Sequence, residues 1–263
     1  MSILERILEV KKKEVHQLKN HQVPFQRPLK EKVRFSQRVQ EDTHMSCIAE
    51  IKRASPSKGI LNEHVDPVKQ AIIYEENGAQ AISVLTDDTF FGGSFSDLQA
   101  VSEAVSIPVL CKDFIIDEVQ IDCAIEHGAS LILLIVAALS NEELLHLYSY
   151  ATNRKIEVLC EVHNIEEYER AKEIGCKIIG INNRDLHTFH VDITTTKQIA
   201  DLDAGNTPIL VSESGIQQAS DVQFVQQAGA SAILVGEALM CSTDIPGMFA
   251  ELRIKHSLPS REV

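Results

Sequence analysis

The sequence predicts an α/β protein in which eight parallel strands, each followed by a helix, close into a barrel behind a helical N-terminal extension. Three observations carry this reading. Eight short apolar runs rich in β-branched residues recur along the chain from residue 47. Stretches of helical period separate them, and continuous apolar strands alternating with amphipathic helices specify parallel strands buried on both faces. The units also repeat in pairs, because every even strand is entered through a glycine that ends a helix. A two-unit repeat run four times favours closure into a (β/α)8 TIM barrel over an open doubly wound sheet, whose dinucleotide fingerprint G-x-G-x-x-G is absent from the sequence.

Residues 1–45 are expected to form the extension and residues 46–263 the catalytic barrel, one domain overall. In the extension Leu4, Ile7, Leu8, Val15 and Leu18 recur at helical spacing, with Lys and Glu between them. A break follows through His21-Gln22-Val23-Pro24, and Pro28 opens a second short helical pattern with Val33, Phe35 and Val39. These one or two helices are expected to pack on the barrel. Strands are expected in CIAEIKR from 47, AISVLTD from 81, PVLCKDF from 108, SLILLIVA from 130, EVLCEVH from 157, IIGINNR from 178, PILVSES from 208 and AILVGEAL from 232. Helices are expected over 66–77, 117–127, 165–174 and 217–228. Gly78, Gly128, Gly175 and Gly229 stand where a left-handed residue must stop a helix before the next strand. Pro108 and Pro208 open two of the odd strands instead.

Composition excludes several function classes. The longest apolar run, Leu131 to Leu139, falls short of the roughly 18 residues a membrane span needs. Twenty-five basic against 38 acidic residues give a net charge of −13, and the one basic cluster, Lys11-Lys12-Lys13, reads as the solvated face of a helix. Neither a nucleic-acid nor a membrane partner fits that balance. The N-terminus lacks the continuous apolar core of a signal peptide, so a cytoplasmic protein is expected. The six cysteines (Cys47, Cys111, Cys123, Cys160, Cys176, Cys241) form no C-x-x-C pair and read as reduced, small hydrophobes. His187 and His190 lie close together, but no ligand set surrounds them, and no metal is expected.

In such a barrel the chemistry lies at the C-terminal ends of the strands. Strand one closes with Glu50 and Lys52, two apart and therefore on one face; strand three carries Lys112 in phase with Leu110. Strand five carries Glu161 in phase with Leu159, strand six ends in Asn182 and Arg184, and strand seven in Glu213. Buried charges are costly unless paired, so seven polar groups at equivalent strand ends read as a reactive rim rather than a stabilising ion-pair network. Asp87 and Asp88, by contrast, read as solvated or capping residues of a polar loop.

The loops add anion chemistry. Ala54-Ser55-Pro56-Ser57-Lys58-Gly59 follows strand one, Ser214-Gly215-Ile216 opens the helix after strand seven, and Gly236-Glu237-Ala238 follows strand eight. Small residues at a helix start leave backbone N–H groups free for phosphate, and the loops after strands seven and eight are the usual phosphate site of this fold. A phosphorylated small molecule is the expected ligand. Phe90-Phe91-Gly92-Gly93-Ser94-Phe95 after strand two and Phe114 after strand three place aromatics near the rim. They suit either a flat apolar substrate moiety or a lid packed on the barrel.

Taken in order, IAEIKRASPSKG, LTDDTFFGGSF, PVLCKDF, LCEVHN, GINNRDL, VSESGI and LVGEALM resemble the signatures of the indole-3-glycerol phosphate synthases of tryptophan biosynthesis. The resemblance covers essentially the whole chain, the helical extension included. It implies a substrate, 1-(2-carboxyphenylamino)-1-deoxyribulose 5-phosphate, that is converted to indole-3-glycerol phosphate, carbon dioxide and water. It implies no cofactor and no metal, because the aryl ring itself carries the electrons. By position, Ser55, Ser214, Gly215, Gly236 and Glu237 hold the phosphate, Glu237 through its backbone N–H alone, since a carboxylate repels phosphate. Phe91, Phe114, Leu133 and Leu186 clamp the aryl ring, and Arg184 beside Asn182 steers the anion. Lys52 pairs with the aryl carboxylate or reaches the sugar hydroxyls. Lys112 is the general acid of ring closure. Glu50, Glu161 and Lys52 are the candidates for dehydration, with Glu161 preferred as base and Glu50 as its partner, while Asn182 and Glu213 orient the lysines and sugar hydroxyls.

Three rival readings stand beside this one: a Schiff-base aldolase acting through Lys112, a phosphoribosylanthranilate isomerase, and a non-catalytic phosphosugar-binding barrel. The isomerase is normally shorter and lacks the extension. The intact set Glu50, Lys52, Lys112, Glu161 and Asn182 speaks against a dead barrel. The loops after strands one and two are the expected lids; oligomeric state and association with other tryptophan-pathway enzymes stay open.

Overall fold

The computed structural model describes residues 2–20, 32–55, 59, 60, 62, 64–186, 188–202 and 208–256, apart from the side chains of Ser55 and Ile60. Every expected run is a strand: β1 (Ser46–Ile51), β2 (Ala81–Leu85), β3 (Val109–Lys112), β4 (Leu131–Ile135), β5 (Glu157–Val162), β6 (Ile178–Asn182), β7 (Ile209–Glu213) and β8 (Ala232–Val235). Each pairs in parallel with its sequence neighbour, and β8 pairs back on β1, Cys47 against Ile233, so the barrel is closed and the open sheet is excluded. A two-residue hairpin, Ala54–Ser55 against Gly59–Ile60, rises from the loop after β1.

Helices α1 (Ile3–Asn20) and α2 (Phe35–Glu41) precede the barrel. After β1 comes α3 (Pro67–Glu76); after β2, a short α4 (Asp88–Phe91) and then α5 (Phe95–Ala104). The remaining strands are followed by α6 (Glu118–Glu126), α7 (Asn141–Asn153), α8 (Ile165–Glu173), α9 (Thr194–Ala200) and α10 (Ala219–Gln227), and β8 by α11 (Glu237–Cys241) and α12 (Ile245–Leu252). Side chains that bond back to exposed N–H groups start them: Asp66 for α3, Ser94 for α5, and full capping boxes at Asp117–Gln120 and Ser140–Glu143. The four glycines ahead of the even strands all take positive φ, from 76° at Gly175 to 112° at Gly229, which an L side chain resists.

Two apolar cores result, one between strands and helices and one inside the barrel. The odd strands build the inner one in layers. Ile48, Leu110, Leu159 and Val211 form an apolar layer, and two residues further along each strand stand Glu50, Lys112, Glu161 and Glu213. A barrel layer normally draws four side chains from alternate strands; here the uppermost one is entirely charged. The opposite mouth is plugged by α2, whose Phe35 and Val39 belong to the inner core. The Glu157 carboxylate, at the start of β5, accepts from the N–H groups of Phe35 (2.6 Å) and Ser36 (3.1 Å), a cap that Arg34 does not supply.

Helix α1 lies at the charged mouth, with Ile3, Leu4 and Ile7 facing its cavity. Here three sequence expectations are corrected. Lys11 is not solvated: it is 2% exposed, and its ammonium lies 2.7 Å from Asp113, 2.9 Å from Asp87 and 2.8 Å from Glu14. It sits four residues from both Ile7 and Val15 on the buried stripe of α1, whereas Lys12 points outward to Glu9. Asp87 is a cap, accepting from Phe90 N–H, but it is fully buried rather than solvated; Asp88 beside it is exposed. The aromatic segment is not one loop either. Phe90 and Phe91 end the helical turn α4, while Phe95 opens α5 and packs on His127, ring centroids 5.1 Å apart, outside the cavity lining.

Of the cysteines, Cys47, Cys111, Cys160 and Cys176 are buried, Cys123 is half-buried and Cys241 exposed, all as free thiols. Among the described residues no helix is long and apolar enough to cross a membrane. The expected break at His21–Pro24, the Pro28 helix start, Pro56, Ser57, Lys58 and His187 lie outside the described residues.

Candidate active site

A cavity of about 490 Å³ opens at the C-terminal mouth, and the charged layer forms its floor. Lys112 Nζ lies 3.4 Å from Glu161, 3.5 Å from Glu213 and 4.0 Å from Glu50, while Lys52 Nζ lies 2.8 Å from the other oxygen of Glu50. Burial favours a neutral amine, but the three carboxylates override it and hold the Lys112 proton far more tightly than usual. Lys112 is thus an ammonium at any physiological pH.

The carboxylates divide. Burial pushes Glu50 toward protonation, but Lys52 and Lys112 keep it below the ordinary range. Glu161 behaves likewise, held well below that range by Lys112, by His163 and by a hydrogen bond from Asn182. Glu213 goes the other way: burial, with Glu161 and Glu50 close by, outweighs Lys112 and pushes it up to about 8. With Glu161 and Glu50 ionised close by, the buried Glu213 holds a proton at neutral pH. Its Oε1 finds no hydrogen-bond partner among the described residues.

Two close approaches need glycine. A Cβ at Gly180 would lie 2.0 Å from Glu213 Oε1, and one at Gly236 would lie 2.5 Å from Glu50 Oε1 and 3.0 Å from Lys52 Nζ. Neither position has φ in the left-handed region, so space, rather than backbone conformation, is what excludes a side chain there.

Asn182 Oδ1 accepts from Ser214 Oγ (2.9 Å) and from Arg184 N–H (3.1 Å), which turns the amide N–H₂ toward Glu161. The Ser214 hydroxyl is therefore spent on orienting Asn182. Ser214 and Gly215 both have left-handed φ, 64° and 84°, so the chain after β7 turns sharply at the cavity wall. Gly236 and Glu237 line the cavity at the start of α11. Across the barrel, the Phe91 and Phe114 rings lie 6.0 Å apart at 34°, with Leu133 and Leu186 also on the lining. Arg184 lines it too, one guanidinium nitrogen donating to Phe189 O at 3.3 Å.

The structure thus brings together fifteen of the sixteen residues singled out in the sequence. Ser55 is the exception: it sits on the hairpin after β1, and its side chain lies outside the described residues. Sequence reasoning missed His163. Its Nε2 lies 3.3 Å from Glu161 Oε1 and its Nδ1 3.0 Å from Glu167, and these carboxylates, against the effect of burial, push it up to about 10. The signal was present: His163 continues the period-two phase of Leu159 and Glu161. The α1 residues at the mouth were missed as well.

The site therefore has glycine-containing turns on the β7–β8 arc, an apolar wall on the β2–β4 arc, and Lys112 among three acidic side chains between them. Curated relatives point the same way. A protein named indole-3-glycerol phosphate synthase from Oceanobacillus iheyensis is 53% identical over 254 residues, covering 97% of each chain. One of the same name from Bacillus cereus is 49% identical over 253 residues, 96% of this chain and 98% of its own. Among solved structures, a 3-hexulose-6-phosphate synthase from Salmonella typhimurium superposes with a TM-score of 0.61 at 13% identity, covering 79% of this chain and 96% of its own, a likeness of fold alone. The model of the family described as "Indole-3-glycerol phosphate synthase" matches residues 4–252, and the chain belongs to that family.

Proposed function

We infer that this chain closes the indole ring, converting 1-(2-carboxyphenylamino)-1-deoxyribulose 5-phosphate to indole-3-glycerol phosphate, carbon dioxide and water, the carboxy-lyase step of tryptophan biosynthesis. The observation that carries the mechanism is Lys112, an ammonium among Glu50, Glu161 and Glu213 in the floor of a cavity lined by apolar side chains on one side and by the Ser214-Gly215 and Gly236-Glu237 turns on the other. The phosphate is held by backbone N–H groups of Gly215, Gly236 and Glu237, and Ser214 contributes through the turn it makes; Ser55 is assigned to it by the resemblance alone. Phe91, Phe114, Leu133 and Leu186 hold the aryl ring; Arg184 and Lys52 meet the anionic groups. A substrate of roughly three negative charges requires such local cations in a protein of net charge −13.

In the first step the ring carbon bearing the carboxylate attacks the ketone carbon, and Lys112 gives its proton to the oxygen that becomes a hydroxyl. Its charge also stabilises that oxygen as it develops. The carboxylate then leaves as carbon dioxide, and its bonding electrons restore aromaticity. In the dehydration Glu161, ionised and oriented by Asn182 and His163, takes a proton from the methylene carbon beside the nitrogen, and the nitrogen keeps its own hydrogen in the indole. The hydroxyl departs as water with a proton from Lys52, which Glu50 holds in place. Glu213, protonated and with one free oxygen, orients a substrate hydroxyl. A Schiff-base role for Lys112 fits the geometry poorly, because imine formation needs a neutral amine and these carboxylates oppose it.

The test is optical. The sequence contains no tryptophan, so indole emission reports product alone. Incubation with the substrate should give a rising signal, and Lys112→Ala should lower kcat about 10²- to 10⁴-fold with a far smaller change in KM. Near-normal turnover in that variant rejects Lys112 as the acid; an adduct at Lys112 trapped by borohydride would favour the aldolase.

A further inference from the structure

Helix α1 carries one buried titratable group that the reaction does not use. Lys11 is 2% exposed, and its ammonium touches two carboxylates from two different strand-end loops. Each of those carboxylates also fixes a backbone N–H beside one of the two cavity phenylalanines. Asp87, after β2, places Oδ2 2.9 Å from Lys11, while its Oδ1 accepts from Phe90 N–H at 2.7 Å, capping the turn that ends in Phe91. Asp113, after β3, places Oδ1 2.7 Å from Lys11, and the same atom accepts from Phe114 N–H at 2.7 Å. The second oxygen of Asp113 accepts from Thr86 Oγ1 at 2.6 Å, which ties the β3 end back to the β2 end.

We propose that Lys11 is a positioning residue: a single ammonium on the N-terminal extension cross-links Asp87 and Asp113 and so sets the separation and tilt of Phe91 and Phe114, the clamp for a flat aryl group. The inference rests on the reading of these phenylalanines as the aryl clamp and deepens it. The alternative is that the cluster only adds stability. Buried ion clusters are poor stabilisers compared with apolar packing, and a stripe otherwise made of Ile7 and Val15 had apolar packing available. What the lysine provides, and a leucine would not, is a fixed ionic link between two loops that are also tied by the Thr86–Asp113 hydrogen bond. The extension then shapes the pocket twice, through Ile3, Leu4 and Ile7 on its wall and through Lys11 behind the aromatic pair.

The experiment uses the full chain and steady-state kinetics, with inorganic phosphate as a competing ligand for the far wall. Lys11→Met should raise KM about three- to tenfold, the loss of one well-set aromatic contact, with a smaller change in kcat. The inhibition constant of inorganic phosphate should stay within about twofold. Phe91→Ala alone should raise KM comparably, and adding Lys11→Met to it should cost little more, because both act through the same contact. A folded Lys11→Met enzyme with unchanged KM overturns the proposal. So do additive effects with Phe91→Ala, or a phosphate constant that rises in step with KM, the signature of a generally loosened rim. If Phe91→Ala and Phe114→Ala leave KM unchanged, the clamp reading itself fails; if they raise it and Lys11→Met does not, only the present proposal fails. Should Lys11→Met not fold, the triple variant Lys11→Met, Asp87→Asn, Asp113→Asn leaves neither strand-end loop with an unpaired buried carboxylate, while Glu14, 35% exposed, turns to solvent; it keeps acceptors for both N–H groups and is expected to show the same selective rise in KM.

Discussion

Glu161 and Glu213 are carboxylates on odd strands beside the same ammonium, yet one is ionised at neutral pH and the other holds a proton. The difference lies in their other neighbours. Glu161 has His163 and Asn182 on its far side, while Glu213 has an oxygen with no hydrogen-bond partner among the described residues, pressed against the backbone at Gly180. Two tests follow at this scale. Gly180→Ala would place a methyl group 2.0 Å from Glu213 Oε1 in wall-to-wall packing, so the carboxyl must swing; kcat should fall about tenfold or more, since displacements of an ångström at such sites are costly. Steady-state assay with a circular-dichroism check of folding decides it, and an active Gly180→Ala enzyme would make the position of Glu213 immaterial. For His163→Gln, the loss of a cation beside Glu161 raises the carboxyl's pKa, so the acid limb of the kcat/KM pH profile should move to higher pH. A limb that does not move would mean that His163 is there for packing.

Among the elements, the two extension helices divide the ends of the barrel between them. Helix α1 crosses the reactive mouth and α2 fills the opposite one, where an open barrel would expose the apolar layer beneath. Phe35→Ala removes the largest side chain of that plug and should destabilise the fold by about 3–5 kcal/mol, read as a shift of the urea midpoint. Turnover of the folded fraction should stay near that of the parent, because Phe35 contacts the inner apolar core rather than the charged layer; a selective loss of kcat would show that the plug reaches the site. The helical spacing of Leu4, Ile7 and Val15 was legible in the sequence, but the meaning of Lys11 within the same stripe was not. A lysine on an apolar face can snorkel outward or meet buried acids, and only the loops after β2 and β3 decide between these.

For the whole molecule the rim links stability to pH. A native pKa raised above its unfolded value contributes stability that is complete below the unfolded value and gone above the native one. For Glu213 that contribution fades between about 4.5 and about 8, and for His163 between about 6.5 and about 10. Glu50 and Glu161, held low, act in the opposite sense: their share is present above about 4.5 and is lost in acid. Unfolding free energy measured in urea should therefore decline as pH rises from about 6.5 to about 10. Glu213→Gln should flatten the part below about 8 and His163→Gln the part that extends to about 10. A parent profile without that decline would contradict the protonation states given to both groups.

The sequence by itself determined the barrel, its eight strands, the helix stops and most of the reactive rim. It could do so because strand period and helix period are local properties: Glu50, Lys112, Glu161 and Glu213 each lie two residues beyond an inward-facing apolar position, and parallel closure carries four such local phases to one layer. His163 obeyed the same phase and could have been read. Tertiary structure alone decided which charges face one another and hence which carboxyl keeps its proton. It alone put Phe95 among the helices and Phe91 at the cavity, and seated Lys11 between two acids more than seventy residues away. Those outcomes depend on distances between segments far apart in the chain, and periodicity within a segment contains no information about them.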